Sequence, residues 1–199
     1  MIEIKHASIN DVIDIVDIHL DAFKDFFLSS LGRDFLIFYY SCLIKNQESV
    51  VLIAKINSKI LGFSAATIDC KGFNIKLIKQ NFISFFFTSI KLIFFNPKAL
   101  IRLAKNLTKK SANIEDSEDY AELFSIGVSK SEQGKGIGKV LLQYTEDTLL
   151  KLGVTKLSLS TDYYDNDSSI NFYKSMGYSA LYDFTTYPNR KMYRLIKNL

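Results

Sequence analysis

The sequence predicts an α/β protein built on a mixed sheet, and three patterns predict it. Residues 50–55 and 60–68 are apolar runs around a short polar turn, which is typical of an antiparallel hairpin. Residues 122–128 read as a strand followed by three glycines and a helix, and the next strand should lie parallel to it because a helix crosses between them. Apolar residues over 9–23 recur at helical spacing.

The remaining elements follow in order along one domain, residues 1–199, interrupted by a helical insertion at 71–118. In the strand at 122–128, alternation places Glu122, Phe124, Ile126 and Val128 on one face. The helix that follows has a predicted inner face made of Ile137, Val140, Leu141, Tyr144, Thr148, Leu149 and Leu152. The other predicted elements are a strand at 2–5, a loop at 24–31, an aromatic helix ending near residue 44, and final strands at 180–184 and 190–196.

The segment that carries the chemistry is the glycine-rich turn before the helix, Gln133-Gly134-Lys135-Gly136-Ile137-Gly138. Glycines lack a Cβ, so the backbone there can approach a ligand closely. The free N–H groups at the helix start and the positive end of its dipole suit a phosphate or pyrophosphate. Two familiar phosphate loops do not fit. The dinucleotide fingerprint needs glycine where Lys139 stands, and the P-loop needs Ser or Thr where Val140 stands.

The turn and the strand before it, Ile126-Gly127-Val128, resemble the acyl-CoA loop Q-x-x-G-x-G of the GNAT superfamily of N-acetyltransferases. A second segment, Asn166 to Tyr178, is similar to the family pattern N-x-x-A-x-x-[FL]-Y-x-x-x-G-[FY], with Ser169 in place of the usual alanine. The resemblance covers the chain outside 71–118. It implies a mostly antiparallel sheet with a splayed parallel strand pair, helices on both faces, and acetyl-CoA as cosubstrate.

The resemblance also implies roles for individual residues. Tyr173 would protonate the departing thiolate, and Glu122 would be the general base, with a water relay as its alternative. A backbone N–H near Val128 would polarise the acetyl carbonyl, and Asn166 would contact the cofactor. The expected cofactor-binding residues are Ile126, Gly127, Val128, Gln133, Gly134, Lys135, Gly136, Ile137, Gly138, Lys139 and Asn166. The loop 26–29 lies where many relatives touch substrate, although loop aromatics are also ordinary anchors between helices.

The insertion is basic and rich in phenylalanine. Residues 71–110 hold eight Lys, one Arg and no acid. Its longest uncharged stretch, residues 80–90, is too short to span a bilayer, which needs about 20 residues. A helical hairpin packed on the sheet or on a second subunit of a homodimer is one interpretation. In the other, the basic face meets an anion, such as a nucleotide-linked substrate, the phosphates of CoA or a membrane surface.

Composition narrows the cellular context. The net charge of +4 does not indicate nucleic acid, and Cys42 and Cys70 have neither disulfide nor metal-ligand spacing. With the first strand at residues 2–5 and no signal peptide before it, we expect a cytoplasmic protein without a metal.

The function that these observations favour is transfer of an acetyl group to a primary amine of a small molecule, such as an amino sugar on an anionic carrier. Two alternatives stay open: acetylation of a protein N-terminus or lysine, and a non-catalytic acyl-CoA-binding or interaction module.

Overall fold

The computed structural model describes residues 2–24, 26–95, 97, 101, 105 and 116–199. The strands in these ranges form one seven-stranded sheet, and their bounds are β1 (Glu3–His6), β2 (Ser49–Ile56), β3 (Lys59–Thr67), β4 (Ala121–Val128), β5 (Lys156–Asp162), β6 (Ser179–Thr186) and β7 (Arg190–Asn198). Their order in the sheet is β1-β2-β3-β4-β5-β7-β6. Every neighbouring pair is antiparallel except β4 and β5, which confirms the predicted sheet.

The described helices are α1 (Val12–Ala22), α2 (Phe27–Ser30), α3 (Arg33–Lys45), α4 (Phe73–Gln80), α5 (Phe82–Phe95), α6 (Ile137–Lys151) and α7 (Asp167–Ser175). Helix α2 lies in the segment predicted as a loop, so that prediction was wrong over four residues. Within the insertion, α4 and α5 are helical. The sequence also predicts a second helix at 98–107, after the break at Asn96-Pro97, and this segment falls mostly outside the described residues. No helix in the described ranges has the length and apolarity needed to cross a membrane.

The parallel strands β4 and β5 pair over only three residues. Ala121 to Leu123 lie beside Leu157 to Leu159, although β4 continues to Val128 and β5 to Asp162. Beyond this point β4 stays paired with β3 and β5 stays paired with β7. The two strands therefore separate toward their carboxyl ends, and a gap opens in the sheet at the end that leads into the glycine-rich turn.

Strand β4 contains a bulge at Phe124. The register with β3 runs from Ala65 opposite Ser125 directly to Ala66 opposite Leu123, so Phe124 has no partner. One extra residue reverses the alternation of side chains along a strand. Leu123 and Ile126 consequently belong to the same hydrophobic cluster, whereas Phe124 packs in the cluster on the other side. The prediction that Glu122 shares a face with Ile126 and Val128 was therefore wrong.

Two hydrophobic clusters cover the sheet. One contains the buried leucines of α6 and residues of β2 to β5, and the other joins α1, α3 and α4 to β2 and β3. In α6 the buried residues are Ile137, Leu141, Leu142, Thr145, Glu146 and Leu149, while Tyr144 and Leu152 of the predicted face are exposed. Thr145 and Glu146 can be buried because each has polar partners. Thr145 lies 2.7 Å from the hydroxyl of Ser64, and Glu146 accepts hydrogen bonds from Tyr178 and Lys197.

Candidate active site

The glycine-rich turn leads into the start of helix α6. Gly134 and Gly136 have φ angles of +78° and +82°, a region that favours glycine, and Gly136 is the N-cap. The first hydrogen bond of the helix is donated by the N–H of Val140 to the carbonyl of Gly136. The N–H groups of residues 137–139 therefore have no carbonyl within the helix to which they can donate. The Gln133 side chain donates to the carbonyl of Val128 at 3.1 Å and so ties the turn to the end of β4. The start of α6 therefore presents free backbone N–H groups and the positive end of the helix dipole, and both favour binding of an anion.

Gly138 differs from the two glycines before it. It lies inside α6 without a positive φ, and a Cβ added there would come no closer than 3.8 Å to Val128. The fold therefore has room for a methyl group at residue 138. Neither the backbone conformation nor the packing therefore requires a glycine at this place.

A cavity of about 490 Å³ lies at the gap between β4 and β5. Its polar end includes the strand residues at the gap together with Asn166, Ser169 and Tyr173. Its other end is built from aromatic and aliphatic side chains of α1 to α5. The sequence placed the loop 26–29 at a substrate site, and three of its residues, Phe26, Phe27 and Leu28, line this cavity.

Tyr173 lines the cavity where β4 and β5 separate. Its ring packs edge-on against Phe172 and Tyr178, at centroid distances of 5.1 and 5.7 Å. Burial raises the pKa of the Tyr173 phenol above its usual value. The hydroxyl is consequently protonated near neutral pH and can donate a proton.

The polar side chains beside Tyr173 are held by neighbours. Asn166 lines the cavity, but its amide nitrogen donates to the hydroxyl of Thr161 at 2.6 Å and to the carbonyl of Asp162 at 3.1 Å. Arg190 is the one guanidinium that lines the cavity within the described ranges, and both its Nε and its Nη2 donate to the Asp162 carboxylate. The Arg190 guanidinium also lies 4.6 Å from the ring centre of Phe26. Asn166 thus fastens β5 to α7, and the charge of Arg190 is compensated.

Glu122 sits in a largely buried ion pair with Arg194 of β7. Their side chains are 15% and 14% exposed, and Cys70 donates from its sulfur to the same carboxylate at 3.0 Å. The carboxylate raises the pKa of Arg194 although burial opposes it, and burial with the carboxylate raises the pKa of the Cys70 thiol. Glu122 is not among the residues that line the cavity. Its surroundings are those of a structural ion pair between β4 and β7.

His19 lies on the cavity wall. In the sequence it has no partner at ligand or base spacing, which predicts only a surface or packing residue. It is 2% exposed, and its Nδ1 is 2.7 Å from the hydroxyl of Tyr40. The Nε2 atom is buried and has no hydrogen-bond partner among the residues that the structure describes. Burial lowers the pKa of His19 to about 4, so the ring is neutral at pH 7.

Several residues of the cavity were missed by sequence analysis because they come from distant segments. Arg190 and the aromatic wall share no local motif, and the signals in the sequence were the loop 26–29 and the run of aromatics in α3. Residues of the described ranges form no group of three His, Cys, Asp or Glu side chains that could hold a metal ion.

Comparisons with known proteins agree with this geometry. A mycothiol acetyltransferase of Renibacterium salmoninarum is 32% identical over 72 residues, which are 36% of this chain; the chain matches about a fifth of that relative's length, 21%. Among solved structures, the ribosomal-protein-S18-alanine N-acetyltransferase of Escherichia coli has a TM-score of 0.64 at 16% identity, covering 100% of this chain and 94% of the other. The PaiA N-acetyltransferase of Thermoplasma acidophilum, in complex with coenzyme A, has a TM-score of 0.61 at 16% identity, covering 100% and 99%. At such identities the structural likeness shows the fold.

The family model described as Acetyltransferase (GNAT) matches residues 12–178, which include the gap, the glycine-rich turn and the segment of Tyr173. The match covers most of the chain, and the strand order, the separated parallel pair and the helix start at Gly136 are consistent with it. The chain belongs to the acetyltransferase (GNAT) family.

Proposed function

We propose that the protein transfers the acetyl group of acetyl-CoA to a primary amine by direct attack of the amine on the thioester. The observation that carries the proposal is the gap between β4 and β5. One of these strands leads into the glycine-rich turn, and Tyr173 lines the cavity that opens at the gap. Acetyl-CoA supplies an activated acetyl group, and the following paragraphs state what the chain's own residues would do.

The glycine-rich turn would hold the pyrophosphate of acetyl-CoA. The N–H groups of residues 137–139 and the dipole of α6 favour a negative charge there, and Gly138 leaves space for it. The backbone of β4 beyond Leu123 would pair with the pantetheine as an added strand, because β5 no longer pairs with it there. A backbone N–H near Val128 would stabilise the oxyanion. The family match supports this assignment, and so does the coenzyme A bound in the PaiA structure.

Tyr173 would give its proton to the departing thiolate. A phenol with a pKa near 10 or above can protonate a thiolate whose conjugate thiol has a pKa of about 8.5. The burial that raises the pKa of Tyr173 keeps the phenol protonated and ready to donate. No covalent enzyme intermediate is needed, and the surroundings of Cys70 raise its pKa, which disfavours a thiolate nucleophile.

The amine must lose a proton before it attacks, since only about one lysine-like amine in two thousand is neutral at pH 7. Glu122 was the carboxylate candidate from the sequence. Its ion pair with Arg194 and its hydrogen bond from Cys70 favour a structural role instead. We therefore propose that the proton leaves through solvent, which was the alternative considered for this step.

The experiment measures thiol release from acetyl-CoA across a panel of amines and peptides, with coenzyme A affinity measured separately by calorimetry. We expect Tyr173→Phe to lower kcat by about 100-fold or more without a comparable loss of coenzyme A affinity. Tyr144→Phe is the matched control, because Tyr144 is exposed on α6. Coenzyme A binding without turnover by the wild type would favour the binding-module alternative, and turnover only with peptides would favour a protein substrate. An absence of coenzyme A binding would refute the proposal.

The sequence suggested an amino sugar on an anionic carrier as the acceptor, because the insertion is positively charged. The cavity gives no support for an anionic carrier, because the one guanidinium on its described wall is already paired with Asp162. The chemical class of the acceptor must therefore be inferred from the apolar residues that line the cavity.

We also propose that the insertion contacts an anionic membrane surface. Phe82, Ile83, Phe86 and Phe87 of α5 are exposed, and residues 71–110 carry only positive charge. We expect the protein to sediment with phosphatidylglycerol vesicles and less with phosphatidylcholine vesicles, and Phe86→Ser with Phe87→Ser to weaken this. Concentration-dependent dimers that the same double substitution dissolves, without vesicle binding, would instead support the homodimer interpretation.

A further inference from the structure

The half of the cavity that is lined by residues before β4 is mostly apolar, and His19, Tyr39, Cys42 and Asn74 are its other members. Its wall consists of side chains from the end of α1, from α2 and α3, and from the two described helices of the insertion. The apolar side chains in this set are Phe23, Phe26, Phe27, Leu28, Phe35, Phe38, Leu77, Ile78 and Phe85. All nine come from the first 85 residues, before the strand that leads into the glycine-rich turn.

This wall offers little to a charged or strongly polar ligand. No Asp, Glu or Lys lines the cavity within the described ranges, and Arg190 is paired with Asp162. Tyr39 stays a neutral phenol because burial and the Glu122 carboxylate raise its pKa, and His19 is a neutral ring with a pKa of about 4. Among the described lining residues from α1 to α5, the polar ones are His19, Tyr39, Cys42 and Asn74. Burying a charged or hydroxyl-rich body against such a wall would leave most of its polar groups unpaired, at a cost in affinity.

The insertion supplies part of this wall. Leu77 and Ile78 of α4 and Phe85 of α5 face the cavity, while their neighbours Ile75 and Phe86 point to solvent, 51% and 52% exposed. Phe85 packs beside Phe38 with ring centres 6.3 Å apart and contacts the small cluster of Leu31 and Phe35. The insertion therefore packs against the rest of the fold at the cavity itself.

The cavity is far larger than an acetyl group needs. Its volume of about 490 Å³ falls in the range of roughly 300–1,000 Å³ that is typical of sites for drug-sized ligands. An acetyl group at the gap would leave the aromatic half to the acceptor.

We propose that the acceptor amine is carried on an aromatic or branched aliphatic body that fills this half, and that α4 and α5 set the preference for it. The inference rests on the proposed acetyl transfer and specifies its substrate class. A simple member of the class is 2-phenylethylamine. A longer acyl chain on the coenzyme A thioester would also be apolar, and the experiment separates the two.

The test compares kcat/KM for 2-phenylethylamine and isoamylamine with kcat/KM for ethanolamine and glucosamine, using acetyl-CoA. We expect the apolar amines to be preferred by at least about tenfold, the discrimination that an apolar pocket commonly provides. Phe85→Ala should lower kcat/KM for 2-phenylethylamine by at least about tenfold, and Phe86→Ala, one residue along the same helix, should change it by less than about twofold. Ile78→Ala and Ile75→Ala form a second matched pair, in case Phe85→Ala impairs folding.

Each outcome decides the question. A preference for the polar amines, or equal effects of Phe85→Ala and Phe86→Ala, would overturn the inference while acetyl transfer stood. Faster turnover with octanoyl-CoA than with acetyl-CoA, with no preference among amines, would assign the apolar half to the acyl chain and overturn it as well. Calorimetry with coenzyme A alone isolates the proposed function, because a failure to bind would remove both proposals at once.

Discussion

Replacing Gly138 with alanine should stabilise the protein and weaken coenzyme A binding. The added Cβ would lie 3.8 Å from Val128 and 4.0 Å from Phe172, which are ordinary contact distances. Alanine inside a helix is favoured over glycine by about 0.5–1 kcal/mol. Since 1 kcal/mol shifts Tm by about 2–4 °C in a chain of this size, we expect Tm to rise by about 1–4 °C.

The same methyl group would stand where we place the pyrophosphate. We expect the Kd for coenzyme A to rise by at least about tenfold, which corresponds to about 1.4 kcal/mol. Thermal melting without ligand measures the first effect, and calorimetry with coenzyme A measures the second. The reasoning requires thermal stability to increase while the affinity for coenzyme A decreases, so Tm and Kd should both rise.

Gly136→Ala provides the contrast. Residue 136 has a φ of +82°, so a side chain there is strained by about 1–2 kcal/mol, and Tm should fall by about 2–8 °C. An unchanged Kd in Gly138→Ala, combined with a higher Tm, would refute the assignment of this helix start to the phosphates.

Two further predictions concern buried charge and pH. Glu122→Gln leaves Arg194 buried without its countercharge, so the free energy of unfolding should fall by about 3–5 kcal/mol and Tm by at least about 6 °C. Asp183→Asn, in the more exposed pair with Lys191, should leave Tm nearly unchanged. An undiminished Tm in Glu122→Gln together with a large loss of kcat would restore Glu122 as the base. His19 has a folded-state pKa of about 4, below its usual 6.5, so the unfolded state binds the proton more tightly and stability should fall as pH drops below 6.5, by up to about 3 kcal/mol at pH 4. Urea unfolding at pH 7 and pH 4.5 should show this loss shrinking in His19→Asn and persisting in His6→Asn, and an equal loss in both variants would contradict it.

Features governed by neighbouring residues could be predicted from the sequence. The hairpin of β2 and β3 and the helix after the glycine-rich turn both follow from local residue types. The order of elements also led to the family, because the turn and the segment of Tyr173 stand at the spacing that the resemblance requires.

Features that depend on distant partners could not be predicted. The bulge at Phe124 arises in the pairing of β4 with β3, and it reversed the face assigned to Glu122. The countercharge of Glu122 is Arg194, 72 residues away, and nothing near Glu122 indicates it. In α6 the buried face includes Thr145 and Glu146, although their polarity predicts exposure to solvent. They are buried because they form hydrogen bonds with Ser64, Tyr178 and Lys197, which are distant in the sequence.

The cavity walls come from two separate stretches of the chain. Residues 123–126 and 159–192 form the end at which the acetyl group would be transferred, while residues 19–85 form nearly all of the aromatic end. Mutations that diversify one stretch need not disturb the other, so an ancestral donor site could acquire new acceptors through drift in the first half of the gene. Transplanting helices α4 and α5 into a relative would then carry acceptor choice with them and leave the thioester chemistry of the recipient in place.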